Sequence, residues 1–308
     1  MIAGGDQQTR AVHAIPAAFV ADVVRGRGDE GQAWLDRVPQ LLADACGEWE
    51  LVVDSPPMHG AQGLVWPVRR DQEPLVLKIT WPGEMTRLEA AALIAWSGRG
   101  AVRLLDHRAE DGLLLLERLD AGRTLEHVPI GQAVVAAAAV LRRLSVPAPV
   151  TVPTLAAAAR RMTLDLPRSW TALGEPFPRR VLDVAMDIAR GLGPSSARML
   201  VDRDLHYGNV LAGHREPWLA IDPMPIAGDR EYGIARLLWR RFDEAGPSGL
   251  ARRLDTIIDV AGLDVALARS WTLVHCVDYW LWALGTGLTE DPARCDAITG
   301  WLLTTQRW

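Results

Sequence analysis

Lysine and asparagine are nearly absent from this chain. All but one of its 33 basic residues are arginine, so LVLKIT at 75–80 holds the single lysine, Lys78, and DRDLHYGNVL holds the single asparagine, Asn209. Both residue types use A-rich codons, and the abundance of Ala, Gly, Arg and Trp marks the composition of a high-GC genome. A survivor of such drift is a candidate for chemistry that its replacement cannot perform. Arginine is a wide planar fork that is always protonated, whereas lysine is a compact point charge on a thin stem.

Other shortages exclude whole classes. Cys46, Cys276 and Cys295 form an odd set with no C-x-x-C pair, which excludes a disulfide framework and a zinc knuckle and fits a reducing cytoplasm. The start, MIAGGDQQTR, has neither the basic opening nor the apolar core of an export signal. The longest apolar run, AVVAAAAVL at 133–141, is far short of the roughly 20 residues needed to span a bilayer and reads as a buried helix, so no membrane partner is expected. A net charge of −5 with scattered arginines argues against nucleic acid, which needs a basic stripe, and leans toward cationic or metal-borne partners. Phe and Tyr number three each against 13 Trp, and tryptophans spread this evenly are assigned to core packing.

With 308 residues and 49% hydrophobic content, there is enough chain for two compact lobes with real cores. From about 50 to 117, ELVV, GLVWPVRR, PLVLKITW, VRLLDH and GLLLLER read as strands separated by Gly, Pro, Asp and His turns. One helix, roughly 84–97, interrupts them and places Met85, Leu88, Ala92 and Trp96 on one face. Beyond 121, AVVAAAAVLRRL, LAAAARRM and RRVLDVAMDIA read as helices. A small sheet-rich lobe (1–118) therefore precedes a larger helical one (119–308), with the junction in ERLDAG, Glu117–Gly122. The first 25 or so residues carry little pattern and are expected to be partly loose.

Alternation along PLVLKITW puts Leu75, Leu77, Ile79 and Trp81 on one face and Val76, Lys78 and Thr80 on the other. Eleven residues after Lys78 comes Glu89, set on the helical wheel between Met85, Ala92 and Trp96, where a carboxylate needs a cation. A strand lysine meeting an inward helix glutamate is how protein kinases hold a lysine on the α and β phosphates of ATP. Further on, LVDRDLHYGNVLAGHREPWLAIDP offers Asp204, Asn209 five residues later, and Asp222 after a hairpin formed by VLAG, a GHREP turn and PWLAID. That spacing is the pattern of a kinase catalytic loop and metal-binding aspartate. Pro223 biases Asp222 toward extended backbone at a strand end, and oxygen ligands of this kind suit magnesium.

The segment DLHYGNVLAGHREPWLAIDPMPIAGD, with RLLDH followed by LLLLERLDAGRTL, resembles the aminoglycoside phosphotransferase family, and within it the group acting on streptomycin, from about Trp34 onward. The resemblance implies an α+β, protein-kinase-like two-lobed fold and transfer of the ATP γ-phosphate to a streptomycin hydroxyl. It further implies that Asp204 orients the acceptor hydroxyl, that Asn209 and Asp222 hold Mg2+, and that Lys78 with Glu89 seats the nucleotide. HGAQG at 59–63 is not G-x-G-x-x-G, but it precedes Lys78 between two strands and is read as the turn over the phosphates, with Gly60 and Gly63 permitting close backbone approach. Glu117 and Leu119, at the junction, are carried over as further nucleotide contacts.

Two positions depart from the family pattern: Asp202 stands where a scaffolding His is common, and Gly233 follows Tyr232 where an Asp is usual. Both departures bear on loop support rather than on chemistry. His206 is read as structural, and Arg203 either pairs with Asp202 or helps neutralise phosphate. The guanidinium groups of streptomycin call for carboxylates, for which Asp165, Glu175 and Asp278 are possible donors. The alternatives are a kinase of another small alcohol or antibiotic, of the hydroxyurea type, and a catalytically silent nucleotide-binding protein.

Overall fold

The computed structural model describes residues 14–60, 63–244 and 246–305. The chain divides into two compact units, one formed by the segments up to Gly98 and Val102–Leu119, the other by Arg99–Ala101 and the chain from Asp120 onward.

The first unit is built on an antiparallel sheet of β1 (Val52–Val53), β2 (Met58–His59), β3 (Gly63–Arg70), β4 (Glu73–Thr80), β5 (Leu104–Arg108) and β6 (Leu113–Glu117). Its order is β1-β3-β4-β6-β5, and β2 pairs with the start of β3. The expected alternation is realised. Leu75, Leu77 and Ile79 of β4 join Leu64, Trp66 and Val68 of β3 and Leu113 and Leu115 of β6 in one core against α1 (Ala17–Glu48), with Trp81 packed at its margin. The opposite face carries Lys78 in register with Val65 and Leu114.

Helix α1 corrects the expectation of a loose start to about residue 25, of which residues 1–13 lie outside the described residues. The chain is helical from Ala17, because Phe19 is buried and packs edge-on to Trp34 at 6.1 Å. The helix breaks at Gly28, whose φ of 56° only glycine adopts cheaply.

Helix α2 (Glu84–Trp96) is rotated from the expected face. Its buried residues are Thr86, Glu89, Ala90, Ala92, Leu93 and Trp96, while Met85 is 42% exposed. Polar anchors set this rotation: Thr86 Oγ1 donates to Trp81 O (3.1 Å) and shares a hydrogen bond with Thr80 Oγ1 (2.7 Å), and Glu89 meets Lys78.

In the second unit, α3 (Ile130–Leu144), α4 (Leu155–Ala172), α5 (Arg179–Leu192), α6 (Ala235–Trp239), α7 (Gly246–Ala261), α8 (Val265–Gly285) and α9 (Glu290–Thr305) surround two small sheets. One sheet pairs β7 (Asp120–Thr124), β9 (Val210–Ala212) and β10 (Leu219–Ala220), and the other pairs β8 (Met199–Asp202) with β11 (Pro225–Gly228). Local chemistry starts the long helices: Thr154 Oγ1 accepts from Ala157 N to cap α4, and Asp264 Oδ1 accepts from Leu267 N to cap α8. The alanine-rich run at 133–141 lies in α3, which buries Ala133, Val134, Ala137, Ala138, Val140 and Leu141 but leaves Val135 exposed. No helix among the described residues is long and apolar enough to cross a membrane.

Candidate active site

In the first unit, β4 presents Lys78 and α2 presents Glu89. Lys78 Nζ donates to both carboxylate oxygens, at 2.7 Å to Oε1 and 2.8 Å to Oε2, and both residues are 7% exposed. A charge buried to this degree is tolerable only when paired and hydrogen-bonded. The HGAQG segment runs from β2 to β3. Gly60 N donates to Gly63 O (3.1 Å), and Ala61 and Gln62 lie outside the described residues. A Cβ on Gly63 would come within 2.7 Å of Thr80 Cγ2 and 2.8 Å of Ile79 O, so packing on β4 alone already demands glycine there. Glu117, at the end of β6, accepts through Oε1 from Arg103 N (2.8 Å), and Leu119 is half-buried.

In the second unit, β8 delivers the chain to Asp204. Asp202 is fully buried, and its Oδ1 accepts from both Asp204 N (2.9 Å) and Met224 N (3.0 Å). One carboxylate oxygen thus ties the loop to the segment after Asp222, which is the scaffolding that the missing histidine left open. Gly233 supplies support of another kind: a Cβ there would lie 2.9 Å from both Asp202 O and Val201 Cγ1, so the backbone itself packs against the end of β8. Tyr207 Oη donates to Leu237 O of α6 (2.8 Å) and fastens the other end of the loop.

Burial pushes Asp202 up to about 7, with the Asp204 carboxylate opposing its ionisation and its two backbone hydrogen bonds favouring it. Its Oδ2 is buried with no hydrogen-bond partner among the described residues. The folded pKa lies above the ordinary aspartate value near 3.9, so Asp202 favours folding fully below about pH 4, and that contribution is lost as pH rises through about 7. Asp202→Asn keeps the Oδ1 acceptor and cannot ionise. Its stability relative to wild type is expected to rise from about pH 4 to about pH 7 and level off above that, by a few kcal/mol at most, as read from urea midpoints. Parallel curves would show that Asp202 does not titrate in this range.

His206 Nδ1 accepts from Gly208 N (3.1 Å), and burial, aided by Arg236 and Arg240, lowers the imidazole to about 3. It is neutral at physiological pH and caps the turn that leads to Asn209, in keeping with a structural role. Arg203 forms no ion pair with Asp202; its charge instead favours ionisation of Asp204 and Asp278.

Asn209 and Asp222 are main-chain neighbours, because Ile221 N donates to Asn209 O (2.9 Å) and continues the register of β9 with β10. Asp222 corrects the extended backbone expected before Pro223: its φ is +51°. Two hydrogen bonds flank it, Ile221 N to Asn209 O and Met224 N to Asp202 Oδ1, and they fix the turn more strongly than the proline biases it. Aspartate tolerates the left-handed region better than most residues, and such outliers concentrate at functional sites. The result is a solvent-open carboxylate next to an amide-bearing residue, a donor set that fits a hard divalent cation keeping several waters. Among the described residues no three His, Cys, Asp or Glu form a metal cluster, which leaves this two-residue set as the arrangement to consider.

Arg236 is a site residue that the sequence reading does not single out. Its Nε lies 2.6 Å from Asp204 Oδ1, and after burial, which raises the Asp204 pKa, Arg236 is the largest influence and lowers it. The available signal was an arginine inside the apolar helix ARLLW, where a cation needs an acid. Of the three acidic residues considered for a cationic acceptor, Asp165 is exposed and ion-paired with Arg168 (3.9 Å) and Glu175 is exposed. Asp278 is half-buried, raised by burial, and has no hydrogen bond or ion pair among the described residues.

A profile of the aminoglycoside/hydroxyurea antibiotic resistance kinase family matches residues 48–287. The chain belongs to that family. The chain is similar to a streptomycin 6-kinase of Streptomyces glaucescens, 41% identical over 91% of this chain and 94% of its own, and to a hydroxyurea phosphotransferase of Kitasatospora aureofaciens, 40% identical over 95% and 87%. A crystal structure of a thermostable mutant of aminoglycoside phosphotransferase APH(4)-Ia, in ternary complex with ADP and hygromycin B, matches with a TM-score of 0.58 at 17% identity, covering 84% of this chain and 97% of that one. At that identity the likeness is one of fold: a protein-kinase-like α+β arrangement with a sheet-rich N-terminal part and a helical C-terminal part.

Proposed function

We propose that this kinase transfers the γ-phosphate of ATP to a hydroxyl of streptomycin, inactivating the antibiotic in the cytoplasm. One observation supports the reaction most: a loop held at both ends by Asp202 and Tyr207 presents Asp204 with Asn209 and Asp222 in the kinase order and spacing. Residues 1–118 serve the nucleotide and 119–308 carry the catalytic loop and the acceptor site. Lys78, held by Glu89, neutralises phosphate oxygens; an ammonium about 4 Å from a phosphate oxygen at an effective dielectric near 20 is worth roughly 4 kcal/mol before desolvation. Gly60, Gly63, Glu117 and Leu119 line the nucleotide. Asp204 accepts a hydrogen bond from the acceptor hydroxyl and takes its proton as the oxygen bonds to the γ-phosphorus and the bond from that phosphorus to the β–γ bridging oxygen breaks, releasing ADP. Asn209 and Asp222 hold Mg2+, which when bound supplies charge neutralisation for the phosphates. Asp278, a carboxylate with no hydrogen bond or ion pair among the described residues, supports a cationic acceptor.

A hydroxyurea-type reaction is the second reading, favoured by the 40% identity to the Kitasatospora aureofaciens enzyme. A silent nucleotide-binding protein is disfavoured by the paired Lys78 and the held loop. Incubation with ATP, MgCl2 and either streptomycin or hydroxyurea, followed by product mass, decides between the acceptors: a gain of one phosphoryl group on streptomycin is expected, and phosphorylation of hydroxyurea alone overturns the streptomycin assignment. Lys78→Arg is expected to lower transfer at least tenfold with the fold intact, since arginine can still pair with Glu89 but its wide fork does not reproduce a point charge. Turnover at the wild-type rate, with circular dichroism unchanged, would show that charge alone suffices there.

A further inference from the structure

We infer that Arg236 is the positioning residue that sets the direction of the Asp204 carboxylate, an inference that rests on the reading of Asp204 as the group receiving the acceptor hydroxyl. Asp204 is held at two points. Its backbone N–H donates to Asp202 Oδ1 (2.9 Å), and its Oδ1 meets Arg236 Nε at 2.6 Å. No other protein partner of the carboxylate occurs among the described residues, so Oδ2 remains open to an incoming hydroxyl.

What makes Arg236 a fixed reference, rather than one more mobile cation, is its seat. The guanidinium lies 5.2 Å from the ring centroid of Tyr279 and 5.8 Å from that of Trp239. Those rings are stacked at 4.6 Å and 10° from parallel. Each is locked: Trp239 is fully buried and meets His275 edge-on, and Tyr279 Oη donates to Asp291 Oδ2 (2.7 Å). Cation–π contacts of this kind hold a guanidinium in plane as well as in place. The helix that carries Arg236 is the one that Tyr207 grips through Leu237 O, so loop and arginine move as one piece.

The other charges near Asp204 do not duplicate this role. Arg203 of the loop and Arg240 beyond α6 favour its ionised form and Asp222 opposes it, but neither arginine makes an ion pair with Asp204. Positive charge is thus supplied three times over, whereas direction comes from one contact. A carboxylate turned by an ångström loses its line to the hydroxyl, and misplacement of that size costs up to about 100-fold in rate.

The test is a double-mutant cycle on the full-length chain with Arg236→Gln, Arg236→Lys, Asp204→Asn and Asp204→Asn/Arg236→Gln. ATP, MgCl2 and streptomycin serve as probes, with hydroxyurea as second acceptor and water as acceptor of last resort, so that a wrong substrate and a wrong role for Arg236 give different results. Arg236→Gln is expected to lower kcat about 10- to 100-fold, with both KM values within about threefold, and Arg236→Lys is expected to recover part of the loss. In the Asp204→Asn background the same Gln substitution is expected to change kcat less than about threefold, because no proton-accepting carboxylate remains to be aimed. Equal losses in both backgrounds, a change confined to KM, or Lys no better than Gln at equal melting temperature would each overturn the inference. Full activity of Asp204→Asn would overturn the reading of Asp204 beneath it.

Discussion

Asp204→Asn is expected to lower phosphoryl transfer about 10²- to 10⁴-fold, the range for removal of a positioned acid or base. The change is isosteric. It keeps the backbone hydrogen bond to Asp202 Oδ1 (2.9 Å) and leaves an amide oxygen facing Arg236. What it removes is the ability to take a proton from the acceptor hydroxyl. KM for ATP is expected to stay within a few fold, because no contact of Lys78 or Glu89 changes, and the melting temperature is expected to shift by only a few degrees. Single-turnover measurements separate the chemical step from product release. Asp204→Asn turning over at the wild-type rate would remove Asp204 from the reaction and leave the loop as a scaffold.

The second large effect concerns stability. Glu89→Ala strips the carboxylate from an ammonium whose side chain is 8% exposed, and breaking one partner of a buried ion pair costs about 3–5 kcal/mol. The expected readout is a lower urea midpoint with the slope of the transition unchanged. The two-residue replacement Lys78→Met with Glu89→Leu distinguishes stability from function. Apolar groups of similar volume are often neutral where a buried pair stood, so that variant is expected to regain most of the lost stability and none of the activity. If Glu89→Ala unfolds at the wild-type midpoint, the pair is not buried in solution.

The sequence by itself determined the main strands of the first unit and much of the chemistry. Period-two alternation in PLVLKITW placed Leu75, Leu77 and Ile79 in one core and Lys78 on the other face, because side chains on a strand must alternate whatever surrounds it. The pairing of Lys78 with Glu89 was legible for a related reason: a carboxylate in an apolar stripe requires a cation, and the chain offers one lysine. Three features were decided only by the tertiary structure. Helix α2 turned so that Thr86 and Glu89 met β4 and Met85 faced water, since hydrogen-bonding partners on a neighbouring strand outweigh one methionine's burial. Asp222 took a left-handed backbone against the bias of Pro223, because hydrogen bonds on both sides of it fix the turn. Arg236 reached Asp204 from 32 residues away in sequence, and no local period or propensity records a contact that depends on where a short helix comes to rest.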